Sequence, residues 1–273
     1  MNGLPDRVRI LQNSQNPEEL EKVAESLASS SNENDLRSLE SSFSNKGFLV
    51  RLDPSQGQGL EISRFRKVLL VLGRNPNPYS TKVLLAMSED DQIRKEVDRV
   101  DVLLEAAAAL KPLPAERIPL FRAFGEDYFL LKLKLLVDNG SPLAIGELEQ
   151  EILTKPSEVE DESVVSLMHR SFVPHRTDES LIRMAEDLLQ ESISSELRTG
   201  LFESFFDFQS RHWYGPVRVP PEPADFNAAS TTALRELLKL ADMAKNAPIS
   251  ADLKHKVLGS QTTIKRVLEQ RHT

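Results

Sequence analysis

The 273-residue chain contains no cysteine, which excludes disulfides, thiolate zinc sites, iron–sulfur clusters and cysteine nucleophiles together. Glycine is scarce, at 11 residues, and aromatic residues make up 6%. A many-stranded sandwich or barrel needs frequent tight turns, so this composition points away from one. Long apolar runs are also missing. Val102 to Leu110 and Phe129 to Val137 are broken by Glu105, Lys132 and Lys134, and both fall far short of the roughly 18 residues that cross a bilayer. Met1-Asn2-Gly3-Leu4-Pro5-Asp6 lacks the basic flank and apolar stretch of a secretory signal. A cytoplasmic setting is expected, and a periplasmic one stays open if the N-terminus has been trimmed.

What is present suits a folded helical protein. The hydrophobic fraction is 40% and the charged fraction 28%, enough to build a core and too apolar for global disorder. The formal charge of −8 opposes a polyanionic partner, because nucleic-acid binding depends on phosphate neutralisation. Nucleic acid is therefore not expected as a ligand. The charge is uneven: Glu147 to Glu196 holds thirteen acids against Lys155, Arg170, Arg176 and Arg183, whereas Phe226 to Thr273 holds eight Lys or Arg against four acids.

Helical periodicity runs through the chain. Asn16, Pro17 and Glu19 form a capped start for a helix carrying Leu20, Val23, Ala24 and Leu27. Asn34 or Asp35 opens a second with Leu36, Leu39 and Phe43, and Gly47 is its natural stop. This polar hairpin, residues 1–58, is expected to be a loosely packed N-terminal part. Beyond the stretch around Gly57 and Gly59, residues 59–273 form the main domain. Helices are expected at Ile62 to Leu72, Tyr79 to Ser88, onward from Asp91 to Leu110, at Ile118 to Phe124 and at Asp127 to Val137. Ser141-Pro142 starts the helix Leu143 to Leu153, and further helices follow at Val164 to Phe172, Leu181 to Ile193 and Leu197 to Phe206. The Pro-rich loop at 213–224 is expected to be extended and draped on the surface. Two helices, Ser230 to Lys245 and Ser250 to Arg271, finish the chain.

Comparable helix ends near Leu72, Leu110, Leu136, Phe172 and Phe206 recur every 26 to 38 residues. That period belongs to helical-repeat arrays, in which each hairpin buries its apolar faces only by stacking on neighbours. Val71-Leu72-Gly73, Asn75-Pro76-Asn77-Pro78, Leu84-Leu85 and Asp91-Gln92-Ile93-Arg94 together resemble the HEAT-repeat family. The resemblance is specific over one repeat and general from Asp127 to Phe208. It implies an all-α, α-α superhelix, a right-handed solenoid of HEAT-like helical hairpins, in which Asp91 and Arg94 would join a hydrogen-bond ladder between repeats. The other repeats lack that Asp-to-Arg signature. A closed helical bundle is the alternative architecture.

No chemistry-bearing motif appears. There is no phosphate-binding Gly-rich loop, no Gly-x-Ser-x-Gly turn, and no His-Glu-x-x-His pair among the five histidines. Neither cofactor nor metal is expected, and an enzyme is disfavoured. Two segments stand out. His169-Arg170-Ser171-Phe172-Val173-Pro174-His175-Arg176 is a cationic interruption in the acidic third of the chain: either a helix end meeting its own dipole, or an anion site. Arg211-His212-Trp213-Tyr214-Gly215-Pro216 carries the only tryptophan: either a plug against Phe205, Phe206 or the Pro-rich segment, or an interaction hot spot. The plug is the expected outcome for Trp213. Their equivalent positions after Phe172 and Phe206 place both segments on one solenoid edge, as a basic and aromatic rim. The function expected is a non-enzymatic scaffold for a protein or peptide. The enzyme alternatives within helical-repeat folds are alkyl-base DNA glycosylases and bilin-pigment lyases.

Overall fold

Side-chain caps mark where many of the longer helices begin. The asparagine and serine side chains that precede the apolar runs accept hydrogen bonds from the first free backbone amides, at Asn16, Asn32, Ser63, Asn77, Ser194 and Ser230. The computed structural model describes residues 4–45, 47–54, 63–154, 162–191, 193–207, 209–212, 215–218 and 223–271. It is all-α and of the α-α superhelix class. The chain divides into two compact units, 1–135 and 136–273. The expected boundary after residue 58 falls inside the first unit, among residues outside the described set.

In the first unit, α1 (Leu4–Asn13) leads into α2 (Pro17–Ala28), α3 (Glu33–Phe43) and the short α4 (Phe48–Leu52). Then follow α5 (Arg64–Arg74), α6 (Pro78–Ser88), α7 (Asp91–Arg94), α8 (Val97–Ala108) and α9 (Ile118–Arg122). Helices α2, α5 and α8 pack side by side in one layer, and α3, α6 and α9 in a second. Each hairpin thus stacks on its neighbour in sequence, and leucines such as Leu20, Leu36, Leu69, Leu84 and Leu104 fill the space between layers without exposure. Helices of 11 or 12 residues are marginal alone, so this burial is what holds them. Helices α5 and α8 touch most closely at Gly73, where a Cβ would lie 2.3 Å from the Ala106 carbonyl oxygen.

Polar groups tie the hairpins together. Asn75 Nδ2 donates to the carbonyls of Ala28 and Ser30, at 2.7 and 2.8 Å, and Asn77 Nδ2 to that of Ser31 at 2.8 Å. The Asn-Pro-Asn-Pro turn therefore clasps the end of α2. Arg51 reaches the carbonyls of Leu11 and Ser14, both at 2.8 Å, and seals the end of α1. Asp91 is exposed at the start of α7, while Arg94 donates to the Ala123 carbonyl at 3.4 Å and sits over the Phe124 ring. Arg94 does link to the next hairpin, but the denser inter-hairpin bonding comes from Asn75, Asn77 and Arg117.

Helix α10 (Phe129–Asn139) carries the chain into the second unit. Gly140, at φ +67°, makes the turn into α11 (Pro142–Thr154), a backbone angle that a Cβ would strain. There α12 (Glu162–Phe172), α13 (Glu179–Gln190), α14 (Ser195–Phe206), α15 (Thr231–Met243) and α16 (Ala251–Arg271) continue the pattern. Helices α11, α13 and α15 form one layer and α12, α14 and α16 the other. The rings of Phe172 and Phe205, 6.5 Å apart, join α12 to α14. A Cβ on Gly200 would lie 2.4 Å from Val165 Cγ1, a second close helix approach. Arg271 closes the unit by donating to the carbonyls of Phe226, Asn227 and Ala229.

One local difference from the sequence expectation concerns the segment after α14. Gln209–His212 and Gly215–Arg218 form a two-stranded antiparallel hairpin, β1 and β2, where the sequence predicts an extended loop over 213–224. Pro216 sits opposite Arg211 in this isolated pair, an edge position where a missing amide proton is tolerated.

Candidate functional site

The cationic segment at the end of α12 and just beyond it is held largely by its own unit. Arg176 donates to the carbonyls of Val173 at 3.0 Å and Asp207 at 3.4 Å. Burial lowers its pKa from the usual arginine value, opposed by Asp225 and Asp207. His175 Nε2 lies 3.6 Å from the Asp138 carboxylate, and His169 Nδ1 lies 3.5 Å from Ser204 Oγ. Arg170 is exposed, with Nε 3.4 Å from the Ser166 carbonyl of its own helix.

The bond from Arg176 to Asp207 joins this segment to the end of α14, just ahead of β1. Arg211 and His212 lie on β1, and Trp213 and Tyr214 fall outside the described residues. Asp207 also accepts from Lys256 Nζ at 2.8 Å through its carboxylate, so three elements meet at this one residue, Arg176 at its backbone carbonyl and Lys256 at its side chain. Glu203, one turn earlier on α14, has its pKa raised by burial and by Asp207, while Lys256 acts in the opposite sense.

Among the described residues no group of three or more histidine, aspartate or glutamate side chains could hold a metal ion. None of the described helices is long and apolar enough to cross a membrane.

The structure adds two features that the sequence reading missed. The first is Arg117, fully buried in the first unit. Its guanidinium donates to the carbonyls of Gly73, Ala106 and Ala107 at 2.6, 3.2 and 3.3 Å, and to Thr81 Oγ1 at 3.1 Å. These are the C-terminal carbonyls of α5 and α8, where the helix dipoles are negative. Burial pushes its pKa down to about 10, so it is charged at neutral pH.

The second is an open notch between α15 and α16, lined by Ala241, Ala244, Lys245, Lys254, Val257 and Leu258. Leu258 is 49% exposed, on a surface where most large apolar side chains are buried. Lys254, Leu258 and Lys265 follow at i, i+4 and i+11, so they share one face of α16 with the leucine in the middle. A signal was present in sequence, in the basic character of the last segment, but a single leucine between lysines on an exposed helix face reads as ordinary surface.

No family model matches the chain, and no curated protein matches it. Among solved structures, a designed armadillo repeat protein aligns over 96% of this chain and the whole of its own, at 13% identity and a TM-score of 0.29. A likeness of that size carries no argument about family or partner.

Proposed function

We propose that the chain is a non-enzymatic scaffold of HEAT-like hairpins that binds a protein or peptide. The observation that carries this reading is the open apolar notch on the last hairpin, with Leu258 left half in water beside Lys245 and Lys254. An isolated exposed leucine is ordinary, whereas one on the wall of a concave apolar surface offers a side chain somewhere to insert. The polarised charge adds to it: the acidic run from Glu147 to Glu196 and the basic run from Phe226 onward give a partner strong orientation cues. The end of α12 and the turn after it, with His169, Arg170, His175 and Arg176, and the segment Arg211, His212, Trp213 and Tyr214 belong to the proposal as a second contact rim. Within that rim the exposed Arg170 is the residue readiest to meet a ligand.

The test is cross-linking of full-length protein to partners captured from extract, followed by purification of each partner and titration. A partner that binds when purified, with cross-links on Lys245, Lys254, Lys265 or the 169–176 turn, is the expected result. If the captured set matches that of an unrelated helical protein of equal charge, or if no purified partner binds, the scaffold reading fails.

A further inference from the structure

We infer that the notch between α15 and α16 receives an acidic amphipathic helix from another protein, an assignment that rests on the scaffold reading and narrows it to one partner chemistry. The floor is made of small side chains, Ala241 and Ala244, together with Val257, so a leucine-sized side chain from outside can approach the hairpin closely. Leu258 forms one wall and remains exposed. The rim is cationic. Lys245 and Lys254 line the notch, and Lys265 continues the α16 face beyond Leu258.

The charges have little to satisfy them locally. Lys254 makes no ion pair among the described residues. Lys245 bonds Asp242 at 2.5 Å, but both groups are exposed, where such a pair contributes little. Asp242 also accepts from Gln261 at 2.8 Å, and those two bonds hold its pKa below the usual aspartate value, with Lys265 acting in the same sense. Asp242 thus meets Lys245 in a bond and feels the charge of Lys265, and Lys254 adds a further lysine on the notch rim.

Charge complementarity selects the occupant. A second copy using the same surface would place Lys245, Lys254 and Lys265 against their own counterparts, and like-charge juxtaposition in an interface is costly. Nucleic acid would meet three lysines on a chain of net charge −8, without a basic tract to track a backbone. A helix with an apolar stripe at i, i+4 and i+7, flanked by glutamate or aspartate, meets both the apolar floor and the lysine rim. This is helix-in-groove recognition, with the stripe as anchor and the acids setting register.

The test uses the full-length chain and a displayed library of helical peptides of about sixteen residues, with a fixed leucine stripe and randomised flanks. Selection is expected to enrich acids at the flanks. The winning peptide, as a fluorescein conjugate, should lose at least about tenfold in affinity against Leu258→Asp and against the double variant Lys254→Glu, Lys265→Glu. Its charge-reversed counterpart should recover binding to the double variant, a rescue that a misfolded protein would not give. Enrichment of basic or uncharged flanks overturns the proposal. Peptides that bind wild type and Leu258→Asp equally well move the site elsewhere and leave the scaffold reading standing. Sedimentation showing a dimer that Leu258→Asp dissolves makes a second copy the occupant and overturns the acidic helix. If no peptide is enriched and no purified protein partner binds, both readings fall together.

Discussion

Arg117 has four carbonyl and hydroxyl partners within 3.3 Å and, among the described residues, no carboxylate bonded to it, an unusual way to bury a charge. A buried cation needs its desolvation offset, and here the C-terminal ends of α5 and α8 do so with partial negative charge spread over several oxygens. Removing the guanidinium would take a buried donor from those carbonyls, of which Ala106 keeps a 3.3 Å bond from the Ala109 amide. Arg117→Met is therefore expected to destabilise the protein by about 3 to 5 kcal/mol in urea unfolding. Arg117→Lys should recover only part of that, because an ammonium cannot reach several oxygens with a planar fork. A loss under about 1 kcal/mol for Arg117→Met would mean the carbonyls find water instead. Nothing in the sequence marks this residue. Between Pro114 and Pro119 a lone arginine looks like a surface residue, and only the third dimension brings the two helix ends to it.

At the scale of elements, legibility followed the caps. Helices α2, α6 and α11 begin where asparagine or serine precedes proline, and their starts could be read directly. The run from Asp91 to Leu110 reads as one helix because its apolar spacing is continuous. The chain instead breaks at Lys95 and Glu96 into α7 and α8. Helix α4 is five residues long, too short for any periodicity to show, and α1 carries Pro5 in its first turn with only Leu11 fully buried among its described side chains. The charged rim at 169–176 was visible as composition, whereas the notch was not, because it exists only once α15 lies against α16. Packing between elements gives a paired prediction. Gly73→Ala forces a methyl onto the Ala106 backbone and should cost on the order of 1 to 3 kcal/mol. Gly259→Ala in α16 meets nothing within 4 Å and should gain roughly 0.5 to 1 kcal/mol from helix propensity. Thermal melting of both variants checks the pair, and equal shifts of the same sign would contradict the close α5 to α8 approach.

For the whole molecule, the excess of acid sets the response to pH. Asp101 in the first unit, and Glu149, Glu186 and Glu203 in the second, all have pKa values raised mainly by burial, with neighbouring acids adding to it. A raised carboxyl pKa means the folded state holds its proton at a pH where the unfolded chain, near 4.5 for glutamate, has already released it. In that window the folded state binds more protons, so stability falls as pH rises and grows as pH drops towards 4.5. Asp242 works in the opposite sense. Its lowered pKa contributes stability above its ordinary value of 3.8, which is lost as pH falls through the folded value. The melting temperature should therefore rise as the pH is lowered towards 4.5 and turn over at lower pH. Glu203→Gln should be more stable than wild type at pH 7, with the advantage shrinking as the wild-type carboxyl takes up its proton. A melting temperature that falls steadily as the pH is lowered towards 4.5, or an advantage of Glu203→Gln that persists unchanged at pH 4, would show that Lys256 and water relieve the carboxylate at neutral pH. The end of α14 would then be free of the charge conflict that its neighbours impose.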